Sequence, residues 1–158
     1  MNEKKCAKKS ILFSPGPVMV EAPVRKALMH YDICHRSPEF EEMFANVQEK
    51  VKRLFQADDS YYSLIVSGSG TSANETCLSS VFKGDDMALL LNNGVFGGRL
   101  DEILTKYEVP TVRLEFEWAT MFDMEKVEEA LKENPKITYI CMVFHETSTG
   151  MINSVHAV

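Results

Sequence analysis

Residues 65–76 read I-V-S-G-S-G-T-S-A-N-E-T, an apolar run that ends in a Ser-Gly turn and continues as helix-compatible sequence. The apolar run predicts a buried strand, Gly68 and Gly70 allow a sharp bend, and the next helix should begin at about Thr71 or Ser72. A helix that starts above the carboxyl end of a strand directs unpaired N–H groups and the positive end of its dipole there. The stretch therefore predicts an anion site.

A second interpretation of this turn needs no ligand. Ser72 and Glu75 form the S-x-x-E pattern of a capping box, in which the two side chains close the helix end themselves. The hydroxyls of Ser69, Thr71 and Ser72 are equally suited to phosphate oxygens. The turn is neither a G-x-G-x-x-G fingerprint nor a phosphate-binding loop with its lysine, so both interpretations stay open on this stretch alone.

Strand and helix patterns alternate along the rest of the chain. Short apolar runs, most of them with β-branched or aromatic residues, predict strands at 62–66, 87–91, 111–114 and 137–144. Helical periodicity predicts helices at 39–55, 71–82, 97–107 and 123–132. This alternation is typical of an α/β domain, and we expect a three-layer α/β/α arrangement around a mostly parallel sheet.

Composition limits the classes of function. The 158 residues, 45% of them hydrophobic, suit one globular domain with a real core. The net charge of −6 provides no basic surface for a nucleic acid. No apolar stretch is long enough to span a membrane, so we expect neither nucleic acid nor membrane as a partner.

The N-terminal segment and the cysteines indicate the compartment. The lysine cluster Lys4, Lys5, Lys8 and Lys9 is interpreted as a solvated tail, because the apolar run that follows soon ends in Ser-Pro-Gly-Pro, unlike a signal peptide. Cys6, Cys34, Cys77 and Cys141 are scattered, which favours reduced thiols and a cytoplasmic protein. His30, Cys34 and His35 are close in sequence but lack further ligands at a suitable spacing, so we predict no metal site.

Two further loops follow predicted strands. In the first, 92–99, glycines flank Phe96, whose flat ring is suited to stacking on a planar cofactor; alternatively, Phe96 is the first core residue of the next helix. The second loop, H-E-T-S-T-G at 145–150, places polar groups after the most apolar strand. Together with the Ser-Gly turn, the loops predict one polar rim at the carboxyl edge of the sheet.

Five motifs together resemble those of a known family. They are F-S-P-G-P at 13–17, D-I-C-H-R-S-P-E-F at 32–40, S-G-S-G-T at 67–71, N-G-V-F-G at 93–97 and H-E-T-S-T-G at 145–150. Their order and spacing resemble the class V aminotransferases, which are pyridoxal-phosphate enzymes of fold type I. The resemblance covers nearly the whole chain and implies residues 1–21 as an N-terminal arm and 22–158 as the first part of the large domain.

The resemblance assigns a role to several rim residues. It implies that Ser69, Gly70 and Thr71 hold the phosphate of pyridoxal 5'-phosphate. It implies that Phe96 stacks on the pyridine ring and that Thr147 hydrogen-bonds the phenolic oxygen of the cofactor.

The resemblance also implies substrates and an assembly. It is closest to 2-aminoethylphosphonate–pyruvate transaminases, with alanine–glyoxylate, serine–glyoxylate or serine–pyruvate transaminases as the alternative. Gly16 matches the N-terminal loop that borders the substrate carboxylate. A homodimer is implied, in which His35 and Arg36 reach the partner.

The chain departs from the family at the reacting groups. The lysine that binds the cofactor covalently and the aspartate that pairs with the pyridine nitrogen lie beyond H-E-T-S-T-G in these enzymes, whereas this chain has no lysine after Lys136 and no aspartate after Asp123. We therefore expect no catalytic residue within the chain, an N-terminal fragment, and no transamination by the fragment alone. An inactive binding or dimerisation module, or another kind of coenzyme-binding α/β domain, is the remaining alternative.

Overall fold

The structure, a computed structural model, describes residues 11–158. It divides into two compact units, with the boundary between Ile65 and Val66. The lysine cluster of the predicted tail and Cys6 lie outside the described residues, and the predicted division into 1–21 and 22–158 stays a prediction. No helix in the described part is both long and apolar enough to cross a membrane.

The first unit contains two helices, α1 (Ala22–Ala27) and α2 (Pro38–Leu54). The start of α2 is set by Ser37, whose hydroxyl accepts the N–H of Phe40 at 3.3 Å, and by a proline in the first turn. The predicted helix at 39–55 is thereby confirmed. None of the residues from 11 to 65 is buried.

The predicted strand at 62–66 is wrong. This segment has no regular structure, and Tyr62 and Leu64 are 95% and 80% exposed. None of the strands within residues 11–158 pairs with it. An extended apolar segment becomes a strand only when a neighbour accepts its backbone hydrogen bonds, so the sequence pattern alone was insufficient.

The second unit is built on a parallel three-stranded sheet. Its strands are β1 (Met87–Asn92), β2 (Thr111–Glu115) and β3 (Ile137–Met142), in the order β2-β1-β3. The three later strand predictions are confirmed, although the last strand ends at Met142. Beyond it, β4 (His145–Glu146) and β5 (Met151–Ile152) form a separate antiparallel hairpin.

Helices cover both faces of this sheet. They are α3 (Gly70–Val81), α4 (Val95–Lys106) and α5 (Met124–Glu133). On one face, Leu90 of β1 clusters with Leu100 and Leu104 of α4, and Leu78 of α3 packs against them. On the other face, Leu89 of β1 clusters with α5. The predicted three-layer α/β/α arrangement is therefore confirmed.

The connections create a crevice at the carboxyl edge of the sheet. From β1 the chain passes through α4, on one face of the sheet, to β2 at one side of β1. From β2 it passes through α5, on the opposite face, to β3 at the other side of β1. The loops after β1 and β3 consequently leave neighbouring strands toward opposite faces. Ligands of open α/β sheets bind at such a reversal of strand order.

The buried thiol of Cys141 gives a prediction about this core. Burial, reinforced by the nearby Cys77, raises the pKa of Cys141 to about 11, compared with about 8.5 for a free thiol. Because the thiolate is the nucleophile, iodoacetamide at about pH 8 should alkylate exposed Cys77 well before Cys141. Mass spectrometry of timed samples measures both rates, and equal rates in the folded protein would contradict the burial.

The same shift sets a pH dependence of stability. The unfolded thiol loses its proton near pH 8.5 and the folded thiol near 11. The contribution of Cys141 to the free energy of unfolding is therefore full below about pH 8.5 and lost progressively as the pH rises toward 11. For the alkylation experiment, labelling in strong denaturant is the control, because there Cys77 and Cys141 should react at the same rate.

Candidate functional site

The amino terminus of α3 leaves two backbone donors free. The helix begins at Gly70 with Ser69 as its N-cap, and the Ser69 hydroxyl accepts the N–H of Ser72 at 3.2 Å. The N–H groups of Gly70 and Thr71, in the first turn, have no acceptor within residues 11–158. These free donors are what the anion interpretation of the turn requires.

The capping box predicted from Ser72 and Glu75 is not formed. Ser69 takes the N-cap position, so Ser72 is the third residue of the helix. The Ser72 hydroxyl contacts the Ser69 hydroxyl at 3.1 Å. Glu75 instead accepts hydrogen bonds from the ammonium of Lys106 and the hydroxyl of Tyr107, which lower the pKa of Glu75. The glutamate therefore links α3 to α4 and does not close the helix end.

A second contact between these helices lies beside the free donors. The guanidinium Nη1 of Arg99, in α4, is 3.5 Å from the Thr71 hydroxyl oxygen. Arg99 lies in the loop-and-helix segment 92–99, and the sequence alone assigns it no role. Its position adds a positive charge at the edge of the predicted anion site.

A buried pair of amides joins the loop after β1 to Asn153, which follows β5 and also bonds the loop after β3. Asn93 and Asn153 are 1% and 0% exposed, and each donates to the side-chain oxygen of the other, at 2.8 and 3.2 Å. Their remaining N–H groups reach the carbonyls of Thr120 and Val143. Since buried amides need their hydrogen bonds, this pair fixes the two loops relative to each other.

Phe96 lies in the first turn of α4 with its ring accessible. It is 42% exposed, whereas the buried residues of the helix are Gly97, Leu100, Ile103 and Leu104. The alternative that Phe96 is a core residue is therefore wrong. Helical periodicity turns Gly97 and Leu100 toward the sheet and leaves the side chain of Phe96 at the rim.

Thr147 begins the turn between β4 and β5. The turn closes through Gly150, whose N–H donates to the carbonyl of Glu146 at 2.9 Å and whose φ of 75° suits glycine. Thr147 is half-buried, and its hydroxyl makes no hydrogen bond within the described residues. The hydroxyl is consequently available to a ligand.

The carboxylate of Glu146 links the first turn of α4, which carries Phe96, to the turn that carries Thr147. It is completely buried, and its Oε2 accepts the N–H groups of Phe96 and Gly97, both at 3.1 Å. Phe96 is thus tied directly to the residue before Thr147, 50 positions further along the chain. Sequence reasoning missed this role, although Glu146 lies within a motif that it singled out.

The remaining predicted residues lie elsewhere. Gly16 belongs to the first unit, in an exposed turn where its N–H donates to the Ser14 hydroxyl at 3.3 Å. The assignment of Gly16 to the substrate carboxylate stays a prediction. Among residues 11–158, no group of three or more His, Cys, Asp or Glu side chains is arranged to hold a metal ion.

A depression at the opposite edge of the sheet differs in character from the rim. It lies between the end of α3 and the start of β2, and its lining combines apolar residues such as Leu78 and Phe82 with the charged residues Lys83, Asp86 and Glu108. These residues surround the amino ends of β1 and β2, away from Phe96 and Thr147. The rim of the second unit combines the free N–H groups of Gly70 and Thr71 with the exposed Phe96 and the Thr147 hydroxyl.

The family is now shown by comparison with known proteins. The family model for class V aminotransferases matches residues 12–158, so the chain belongs to that family. An uncharacterised aminotransferase of Methanocaldococcus jannaschii is 33% identical over 149 residues, which cover 94% of this chain and 38% of the relative. A 2-aminoethylphosphonate–pyruvate transaminase of Syntrophobacter fumaroxidans is 30% identical over 148 residues, covering 94% and 40%.

A solved structure agrees with this placement. The ureidoglycine–glyoxylate aminotransferase of Bacillus subtilis superposes with a TM-score of 0.85 at 29% identity, over 98% of this chain and 40% of that one. The chain therefore has the fold of the class V enzymes. It spans about 40% of the length of the relatives that it matches.

The close approach of Glu146 to α4 gives a prediction about Gly94. A Cβ at Gly94 would lie 2.5 Å from Cγ and Cδ of Glu146 and 2.9 Å from the Ser148 hydroxyl oxygen. Gly94→Ala should therefore lower the free energy of unfolding by ~1–3 kcal/mol, as overpacking does. Urea denaturation measures the change.

Gly98→Ala is the matched control within the same segment. A Cβ at Gly98 meets only the side-chain nitrogen of Asn92, at 3.9 Å, which is an ordinary contact. Since alanine favours a helix over glycine, this variant should be about 0.5–1 kcal/mol more stable than the native chain. Equal effects of the two substitutions would show that Glu146 does not pack against Gly94.

Proposed function

We propose that this chain supplies part of a pyridoxal 5'-phosphate site in a class V transaminase. Ser69, Gly70 and Thr71 form the phosphate cup, meaning the turn that binds the phosphate, and Phe96 and Thr147 contact the ring. The observation that carries the proposal is the contrast between two helix termini on one rim. The first three N–H groups of α4 are taken by Glu146 and Ser148, whereas α3 keeps the N–H groups of Gly70 and Thr71 free. Of these two termini, that of α3 is the one with N–H groups free for an anion.

The donors at α3 fit a phosphate dianion. Two free N–H groups, the hydroxyl of Thr71 and the dipole of a 12-residue helix act at one place. The guanidinium of Arg99 adds a charged donor beside Thr71. Ser69, which caps the helix, holds this turn in shape and also presents its hydroxyl to the same anion.

The rest of the rim fits a planar ring with a polar substituent. Phe96 presents an exposed ring from the first turn of α4, and Thr147 presents an unpaired hydroxyl from the neighbouring loop. When bound, pyridoxal 5'-phosphate carries the amino group between substrates and withdraws electrons from the reacting carbon. The residues of this chain bind the cofactor and orient it.

The groups that react are not among the rim residues. No lysine occurs in 67–71, 93–97 or 145–150, and none follows Lys136. We therefore propose that residues 1–158 alone do not turn over substrate.

The proposed reaction transfers the amino group of 2-aminoethylphosphonate to pyruvate. It is supported by the 30% identity to a relative that bears this name, over 94% of the chain. Transfer from alanine or serine to glyoxylate, or from serine to pyruvate, is the alternative, and an inactive binding or dimerisation module is the second alternative.

A homodimer in the cytoplasm is proposed for the complete protein. The first unit supports an assembly because it buries none of its residues from 11 to 65 and leaves Phe13, Leu28 and Met29 at least 85% exposed. Apolar surface of this kind is normally covered by a partner. The scattered cysteines favour the cytoplasm.

Turnover by the full-length gene product distinguishes the candidate reactions. With pyruvate as acceptor, 2-aminoethylphosphonate should be consumed with formation of alanine, and faster than serine or alanine is consumed with glyoxylate. Preference for an amino acid donor would select the alternative transaminases, and cofactor binding without any turnover would select the inactive module. Sedimentation of the same sample tests the homodimer.

A substitution in the phosphate cup tests cofactor binding separately. Thr71→Val removes one hydroxyl beside the free N–H groups and should raise the Kd for pyridoxal 5'-phosphate by about tenfold, the effect of one charge-assisted hydrogen bond. Fluorescence titration measures the Kd. Ser80→Ala is the control, because its hydroxyl donates only to the Thr76 carbonyl within the same helix. Equal affinity of both variants would place the phosphate elsewhere.

A further inference from the structure

We propose that Glu146 is a positioning residue that sets the direction of the cofactor on the rim. The inference rests on the proposed function, because it takes Phe96 as the ring contact and α3 as the phosphate cup. Its basis is the complete burial of a carboxylate that forms no ion pair with any described residue. An isolated buried carboxylate is costly, so its hydrogen bonds must hold it firmly.

The carboxylate is satisfied entirely by donors of the two rim loops. Oε2 accepts the N–H groups of Phe96 and Gly97, and Oε1 accepts the N–H and O–H groups of Ser148. Ser148 in turn accepts the N–H of Val95 at 3.1 Å. The negative charge also lies at the positive end of the α4 dipole, which stabilises it further.

This network fixes the ring contact relative to the free hydroxyl. The backbone of Phe96 is bonded to the Glu146 side chain, and the backbone of Glu146 continues directly into Thr147. Any shift of α4 along the sheet would break two bonds to a buried charge. The backbones of Phe96 and Thr147 are therefore held relative to each other by one side chain.

The same carboxylate excludes the wrong orientation. It occupies the amino terminus of α4 with a negative charge, so a phosphate there would meet repulsion and no free donor. At α3, the N–H groups of Gly70 and Thr71 remain free. Glu146 thereby directs the phosphate to α3 and leaves the ring for Phe96.

The test compares ligands that share or lack the aromatic ring, in the full-length gene product. Glu146→Gln keeps the size but its carboxamide cannot accept from all four donors. We expect an about tenfold weaker binding of both pyridoxal 5'-phosphate and pyridoxal, and an affinity for inorganic phosphate within about twofold of the native value. Induced circular dichroism of the bound cofactor should change, because it reports the environment of the ring.

Two further measurements keep the test decisive. Ser148→Ala, at an exposed position, removes one donor to Glu146 and should weaken ring binding in the same direction by a smaller factor. Amide hydrogen exchange without ligand should accelerate at Phe96 and Gly97 in both variants. Thr71→Val should show the opposite pattern, with phosphate affinity lowered by about tenfold and the exchange at Phe96 unchanged.

The outcomes separate this inference from the proposed function. If native protein binds the cofactor and Glu146→Gln leaves its affinity and dichroism unchanged while Ser148→Ala also has no effect, the positioning role is overturned and the function stands. If Glu146→Gln does not fold, the result with Ser148→Ala decides. If native protein binds neither the cofactor nor phosphate, the proposed function and the inference fail together.

Discussion

The carboxyl edge of the sheet depends on strand β1, which is buried on both faces. Ala88, Leu89, Leu90 and Leu91 are at most 1% exposed, so α4 must cover one face and α5 the other. Because β2 and β3 then lie on opposite sides of β1, the connections reverse at the β1–β3 pair. The crevice is thus a consequence of the sequence of one strand, and the loops that carry Phe96 and Thr147 begin at its two sides.

Buried polar groups fix the loops that the sheet brings together. Asn93 and Asn153 exchange hydrogen bonds beneath the rim, and Glu146 holds the first turn of α4. Each of these groups would be costly to bury without its partners, so the arrangement is strongly specified. The N–H groups at the amino terminus of α4 are hydrogen-bonded within the protein, whereas two N–H groups at the amino terminus of α3 are free to bind an anion.

Much of this fold follows from local sequence. The strands at 87–91 and 111–114 were predictable because short runs with apolar residues are bounded by turns, and all four long helices showed their periodicity. The segment 62–66 carries the same apolar signal but has no strand, because pairing depends on a neighbour that local sequence does not reveal. Where Ser72 was expected to cap α3, Ser69 takes that position, since Gly70 already adopts helical geometry.

The loops that form the site were predictable from the sequence, but the hydrogen bonds that join these loops were not. Phe96 and Thr147 were selected by their position after strands, and their accessibility agrees with that choice. The role of Glu146 depends on a contact across 50 residues, and Gly94 leaves room for that contact by lacking a side chain. Polar burial of this kind cannot be read from periodicity, which marks only apolar faces.

NMR of the backbone amides and aromatic protons of the full-length gene product, during titration with pyridoxal 5'-phosphate, tests the central claim most directly. The largest shifts should fall on the free N–H groups of Gly70 and Thr71, on the Phe96 ring protons and on Thr147. Inorganic phosphate should reproduce the shifts at Gly70 and Thr71 only. Shifts concentrated at Leu78, Phe82 and Tyr107, on the opposite edge of the sheet, would contradict the account.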